Sequence, residues 1–122
     1  MDKYRIWDKH EKRWLVRNAT IWDLVTLFQN NPVFTEPTES LKKRLVFQRS
    51  TRITDLKRRE IFEGDIIKDM RGQRCVIVYE SSIDQAGFVA EEISKNTEKT
   101  KQWYWMGLVI GNVFENEELL KP

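Results

Sequence analysis

Residues 60–68, Glu60-Ile61-Phe62-Glu63-Gly64-Asp65-Ile66-Ile67-Lys68 (EIFEGDIIK), read as a tight turn that leads into a β-strand. Gly64 accepts a backbone angle that a side chain resists, and Asp65 can accept hydrogen bonds from the turn amides. The β-prone pair Ile66-Ile67 follows at once. A second run, Arg74–Glu80 (RCVIVYE), is joined to the first by Asp69-Met70-Arg71-Gly72-Gln73, a connection suited to a hairpin. Gly87–Ile93 is a further run, and Trp103–Phe114 a long one with Gly107 and Gly111 inside it. Glycine within a strand pattern marks a bulge or bend of the kind small barrels need at corners. Upstream, Arg44–Gln48 (RLVFQ) is a short apolar run, whereas 49–59 is polar and basic. These five runs predict a mainly β fold, a small SH3-like antiparallel barrel that is partly open. Gly64 and Asp65, with Gly111 and Asn112 farther on, are read as structural turn residues. Asn116 is placed to cap a last helical turn, Glu117–Lys121.

The amino-terminal part has a different rhythm. Tyr4, Ile6 and Trp7, then Trp14, Leu15 and Val16, mark two β-prone runs around the polar stretch Asp8–Arg13, which suits a hairpin loop. Ile21, Trp22, Leu24, Val25, Leu27 and Phe28 then follow helical spacing, and Thr20 with Asp23 resembles a capping box. The spacing favours a short helix over Ile21–Gln29, although an apolar run of this length also fits a strand. Asn30, Asn31, Pro32 and Pro37 make the turn-rich connection. The expected organisation is therefore a hairpin, short helix and linker over residues 1–40, and the barrel over 41–122.

Composition bounds the function. A chain of 122 residues, 40% hydrophobic, with five Trp, three Tyr and six Phe, is about one domain with a real core. No stretch reaches the roughly 18 apolar residues of a membrane span, and the first residues lack the apolar centre of a secretory signal. The single cysteine, Cys75, excludes an intramolecular disulfide and a cysteine-type zinc site. These features point to a reducing cytoplasm and no membrane association.

Each chemistry-bearing group has a plain alternative. His10, the sole histidine, lies among Lys9, Glu11 and Lys12 with no nucleophile and no orienting carboxylate in pattern with it, so it reads as a surface residue. Cys75 sits inside an apolar run and reads as a small buried hydrophobe, with Arg74 a faint argument for reactivity. Glu60, Glu63, Asp65 and Asp69 form the densest acidic cluster, which raises metal-dependent phosphodiester cleavage. Asp65 and Lys68, three apart, fall on opposite faces of a regular strand, so the turn reading prevails. The glycines do not gather into a phosphate-cradling loop. No enzyme, cofactor or metal is expected.

Two binding surfaces remain. Residues 39–60 carry eight basic and three acidic side chains, whereas 61–122 carry seven basic and eleven acidic. The cations Lys42, Lys43, Arg44, Arg49, Arg52, Lys57, Arg58 and Arg59 could form a nucleic-acid or anion patch with salt-sensitive affinity. Aromatic side chains for base stacking are sparse there, with Phe47 inside and Phe62 just beyond. Trp103, Tyr104 and Trp105 read as core or subunit-interface packing, whereas the neighbouring Lys99 and Lys101 fit a recognition surface on the opposite face. Five tryptophans exceed what one small core needs, so a homo-oligomer is expected, with Phe88, Val89, Trp103 and Trp105 near the contact.

Three blocks resemble the YopX family of bacteriophage and prophage proteins. Lys3-Tyr4-Arg5-Ile6-Trp7-Asp8 matches its opening K-[YF]-R-[AV]-W-D pattern. Thr51, Asp55 and Glu60 to Ile67 match T-G-L-x-D-x-N-G-x-E-I-[YF]-E-G-D-I-[IV]. Val109 to Asn116, followed by Glu118-Leu119-Leu120, is similar to the ending V-I-G-N-[IV]-[YF]-E-N-P-E-L-L. Arg52 stands where the family has glycine, and Lys57-Arg58 where it has Asn-Gly. Both changes remove residues tolerant of positive φ, so the 49–59 loop is expected to be reshaped, without a tight I′ turn. The resemblance implies a largely β fold with an SH3-like element, self-association and a phage or prophage origin in a bacterial host, and no activity; a phage or host protein is a separate candidate partner.

Overall fold

Residues with apolar alternation do become strands, but polar ones extend them. The computed structural model describes residues 2–30, 38–81, 86–95, 98, 100–103 and 105–122, with the side chain of Thr38 excepted. The chain is mainly β and divides into two compact units, residues 1–50 and 51–122. The sequence places a boundary at 40/41. Pairing of the first strand with residues 45–49 draws that stretch into the first unit.

In the first unit, β1 (Tyr4–Asp8) and β2 (Arg13–Ala19) form the expected hairpin, with register shifts on either side of Ile6. Helix α1 (Ile21–Asn30) follows. Its capping box is formed: the Thr20 amide donates to Asp23 Oδ2 at 2.9 Å and the Asp23 amide to Thr20 Oγ1 at 3.4 Å. A second helix, α2 (Thr38–Arg44), leads into β3 (Leu45–Thr54), which runs antiparallel beside β1. Ile6, Ala19, Leu24 and Leu45 are the core here, flanked by Leu27 and Leu41. Burying Ile6 alone contributes about 2 kcal/mol relative to exposure.

Strand β3 overturns the reading of 49–59 as a loop. It runs through the basic stretch because its inward residues are polar and satisfied. Gln48 Oε1 accepts from Arg5 Nε at 2.8 Å, and Thr51 Oγ1 donates to the Ile61 carbonyl at 2.7 Å. Apolar alternation cannot reveal such a strand.

In the second unit, the end of β3 lies beside β4 (Glu60–Phe62). β5 (Asp65–Asp69), β6 (Arg74–Ser81), β7 (Ala86–Glu92), β8 (Lys101–Gln102) and β9 (Gly107–Asn112) form an antiparallel sheet in the order β8-β7-β6-β5-β9. Ile61, Ile67, Cys75, Ile77 and Ala90 form its core, with Phe88, Trp105 and Val109 packed against them. The long run 103–114 is thus broken, with a strand only from Gly107. The break fits a close approach: a Cβ on Gly107 would collide with the Lys68 carbonyl oxygen.

Contacts cover the edge strand β9 and the part of β7 that β8 leaves unpaired. At β9, the Leu56 amide donates to the Gly107 carbonyl at 3.1 Å and the Val109 amide to Asp55 Oδ2 at 3.0 Å. At β7, Trp105 Nε1 reaches the Phe88 carbonyl at 3.5 Å, and the Trp103 ring lies over Gly87. Covering an edge removes a template for strand addition.

The 55–59 turn keeps what its sequence gives up. Arg52 and Arg58 both adopt φ 64°, so the left-handed conformation survives loss of the glycines. No I′ turn forms, because of the pair Lys57-Arg58 only Arg58 has positive φ. A 3₁₀ turn, Glu117–Leu120, closes the chain, but Asn116 makes no side-chain cap to it. Its Oδ1 instead accepts from the Asn112 amide at 3.1 Å.

Candidate functional site

Among the described residues, the buried aspartates and Asn112 are turn-formers. Asp8 Oδ1 accepts from the amides of His10 (2.9 Å) and Glu11 (3.1 Å). Asp55 Oδ1 accepts from Lys57 and Arg59, and Asp69 Oδ1 from Arg71 and Gln73. Asp65 Oδ2 accepts from Phe62 at 2.8 Å, across the turn where Gly64 takes φ 84°. Asn112 Oδ1 accepts from Phe114 and Glu115, and a Cβ on Gly111 would meet the Asn116 side chain at 2.6 Å. Carboxylates committed in this way are poor metal ligands, and among the described residues no group of three His, Cys, Asp or Glu could hold an ion.

Electrostatics agree with that role. Burial works to raise the Asp8 pKa, but the Arg44 guanidinium and the Glu11 and His10 amides outweigh it, leaving the carboxyl below its ordinary 3.8. For Asp55 burial is likewise outweighed, here by the amides of Val109, Arg59 and Lys57. For Asp69 the Gln73 amide and the Arg71 side chain do the same. Cys75 is fully buried, and burial pushes its thiol up to about 11 with help from Asp69 and Glu92. It has no thiolate character at neutral pH.

The eight cations of 42–59 divide between the units. Lys42, Lys43, Arg44 and Arg49 lie in the first, and Arg52, Lys57, Arg58 and Arg59 in the second. Lys42 pairs with Glu39 at 3.4 Å on the same helix. Arg44 is bound to Asp8 through Nε and Nη2, at 2.9 to 3.1 Å. Arg59 Nη1 reaches the Val109 carbonyl at 3.4 Å. Lys43, Lys57 and Arg58 are exposed.

The aromatic residues also separate. Val89 is fully buried, so its side chain presents no surface. Phe88 is half-buried and stacks edge-on with Tyr79 at 5.4 Å. Trp103 and Trp105 line an open cavity of ≈ 440 Å³ with Ile53 and Met106. Tyr104 and Lys99, and most of the expected linker (31–37), fall outside the described residues. Trp7 is buried and packs T-shaped at 5.0 Å against the half-buried Trp14, with Arg5 above the Trp14 ring.

Two features were not singled out in the sequence. The first is a concavity of ≈ 530 Å³ in the first unit, lined by Lys9, His10, Ser40, Lys43 and Arg44. The second is the outer face of α1. Leu24 and Leu27 turn to the core, while Ile21 (49%), Trp22 (67%), Val25 (42%) and Phe28 (42%) stand exposed, with the Phe47 ring 6.4 Å from Phe28. The signal was present: α1 has more apolar residues than one buried face requires.

The described architecture is that of a mainly β chain whose motif residues hold turns and edges. The chain belongs to the YopX family: the family model described as YopX protein matches residues 3–121. Among solved structures it is similar to protein EF1440 from Enterococcus faecalis, at 19% identity and a TM-score of 0.48, covering 99% of each chain. No curated protein matches. Among the described residues, no helix is long and apolar enough to cross a membrane.

Proposed function

We propose that this is a phage or prophage accessory protein of the bacterial cytoplasm that acts by binding, as a self-associating interaction module without catalysis. Family membership supports the origin. The observation that carries the self-association is the outer face of α1. Ile21, Val25 and Phe28 recur at helical spacing and continue onto Phe47, with Trp22 beside them. An apolar stripe of this kind on a soluble domain marks a docking surface. The occupant is a second copy. The stripe has no formal charge, and the one charged residue of α1, Asp23, is held in the cap with Thr20. Two copies related by a two-fold axis therefore meet without like-charge repulsion, and each presents the same surface to the other.

Light scattering on the full chain tests this. The wild type is expected above monomer mass at high micromolar concentration, and Trp22→Glu or Val25→Glu to return it to monomer. Met106→Glu, in the second-unit cavity, should leave the assembly intact. A wild-type chain that stays monomeric overturns the reading, and dispersal by Met106→Glu alone moves the contact off α1.

A further inference from the structure

We propose that the concavity lined by Lys9, His10, Ser40, Lys43 and Arg44 is a binding site for a phosphate-bearing small anion, a phosphomonoester being the chemistry that fits it best. This goes beyond self-association and does not depend on it.

The site is built, not merely charged. Its walls come from the β1–β2 turn and from α2, and two sets of contacts tie them together. The Lys9 amide donates to the Arg44 carbonyl at 2.8 Å. The Arg44 guanidinium clamps Asp8 through Nε and Nη2, and Asp8 in turn holds the His10 and Glu11 amides. Asp8 is almost fully buried while the Arg44 side chain keeps 20% exposure, so the pair fixes the turn against the helix with its carboxylate turned inward. Rigid walls lower the ordering cost of capture.

The chemistry of the lining is one-sided. The lining residues carry two ammonium groups, a guanidinium, an imidazole and a hydroxyl, and among the described residues no carboxylate lines the space. Glu11 is half exposed and makes a long ion pair of 3.9 Å with Arg44 Nη2. Asp8 and Arg44 largely offset each other, so Lys9 and Lys43 supply the surplus charge. Both are exposed, and neither forms an ion pair among the described residues. Charged donors set around a concavity recognise phosphate oxygens well, Lys as a point charge and Ser as a neutral donor. A volume of ≈ 530 Å³ exceeds one phosphate and accommodates the group it is attached to.

Amide NMR shifts on the full chain, titrated at low salt with inorganic phosphate and with adenosine 5′-monophosphate, test the proposal. Saturable shifts are expected at Lys9, His10, Ser40 and Lys43, with the monophosphate binding more tightly. The double variant Lys9→Gln/Lys43→Gln should weaken binding about tenfold or more. A control with equal charge loss elsewhere, Lys57→Gln/Arg58→Gln, should not. Both doubles change exposed side chains, and thermal melts check that they fold; Arg44 is left alone because it holds Asp8. Absence of saturable shifts overturns the proposal, and so does equal weakening in both doubles, which reduces the effect to screened net charge. A short single strand lacking a terminal phosphate forms the last arm. If it binds while the two small anions do not, the small-anion assignment fails.

Discussion

Asp55 and Asp69 begin loops with the same hydrogen bonds and different residues at the same point. In each, the carboxylate accepts from the amides two and four residues on, and the backbone closes between the Asp and the fifth residue. The fourth residue is left-handed in both: Gly72 at φ 85° and Arg58 at φ 64°. A side chain there costs about 1 kcal/mol, so Arg58→Gly should raise stability in urea unfolding, by less than that amount because glycine adds chain entropy to the unfolded state. The carboxylates themselves set the acid limit. Asp8, Asp55 and Asp69 have folded pKa values below 3.8, so their contribution is complete above that value and is lost as pH falls through the lowered values. Urea midpoints should therefore decline below about pH 4, and Asp8→Asn should flatten that decline. At this scale the sequence was legible at Gly64-Asp65, where the turn and its acceptor are adjacent. It was not legible at Arg58, because side-chain preference says glycine while the Asp55 bonds hold the backbone regardless.

Edges explain the elements that the sequence misplaced. Apolar patterning carries β3 only to Gln48, because Gln48, Ser50 and Thr51 are buried without being apolar. β9 was read as part of a longer run because the approach of Gly107 to β5 depends on Lys68, far away in the chain. Asp55 is the residue that links these elements, since its second oxygen holds the Val109 amide on the outer edge of β9. Removing that carboxylate leaves the amides of Lys57, Arg59 and Val109 without it. Asp55→Ala should cost about 3 kcal/mol, and hydrogen exchange should accelerate at Val109 more than at Ile77. Equal acceleration at both would mean that the variant loosens the sheet as a whole and not its edge.

For the whole molecule, the tryptophans show what could and could not be anticipated. Their number signalled apolar surface beyond one core, and Trp22 supplies it on α1, whereas Trp103 and Trp105 were singled out on local aromaticity and lie over the edge of β7. If α1 is covered by a second copy, the thermal midpoint should rise with protein concentration, and Trp22→Glu should abolish that rise. The basic pocket was hidden for a related reason: Lys9 and Lys43 are brought together only by pairing of the turn with the end of α2. The sheet order β8-β7-β6-β5-β9 also has a bearing on synthesis. β5 to β8 form a meander that can assemble as it leaves the ribosome, but the other side of β5 has no neighbour until Gly107–Asn112 have emerged. A nascent chain stalled before that point displays a bare, isoleucine-rich strand edge, a natural substrate for chaperones and a seed for aggregation.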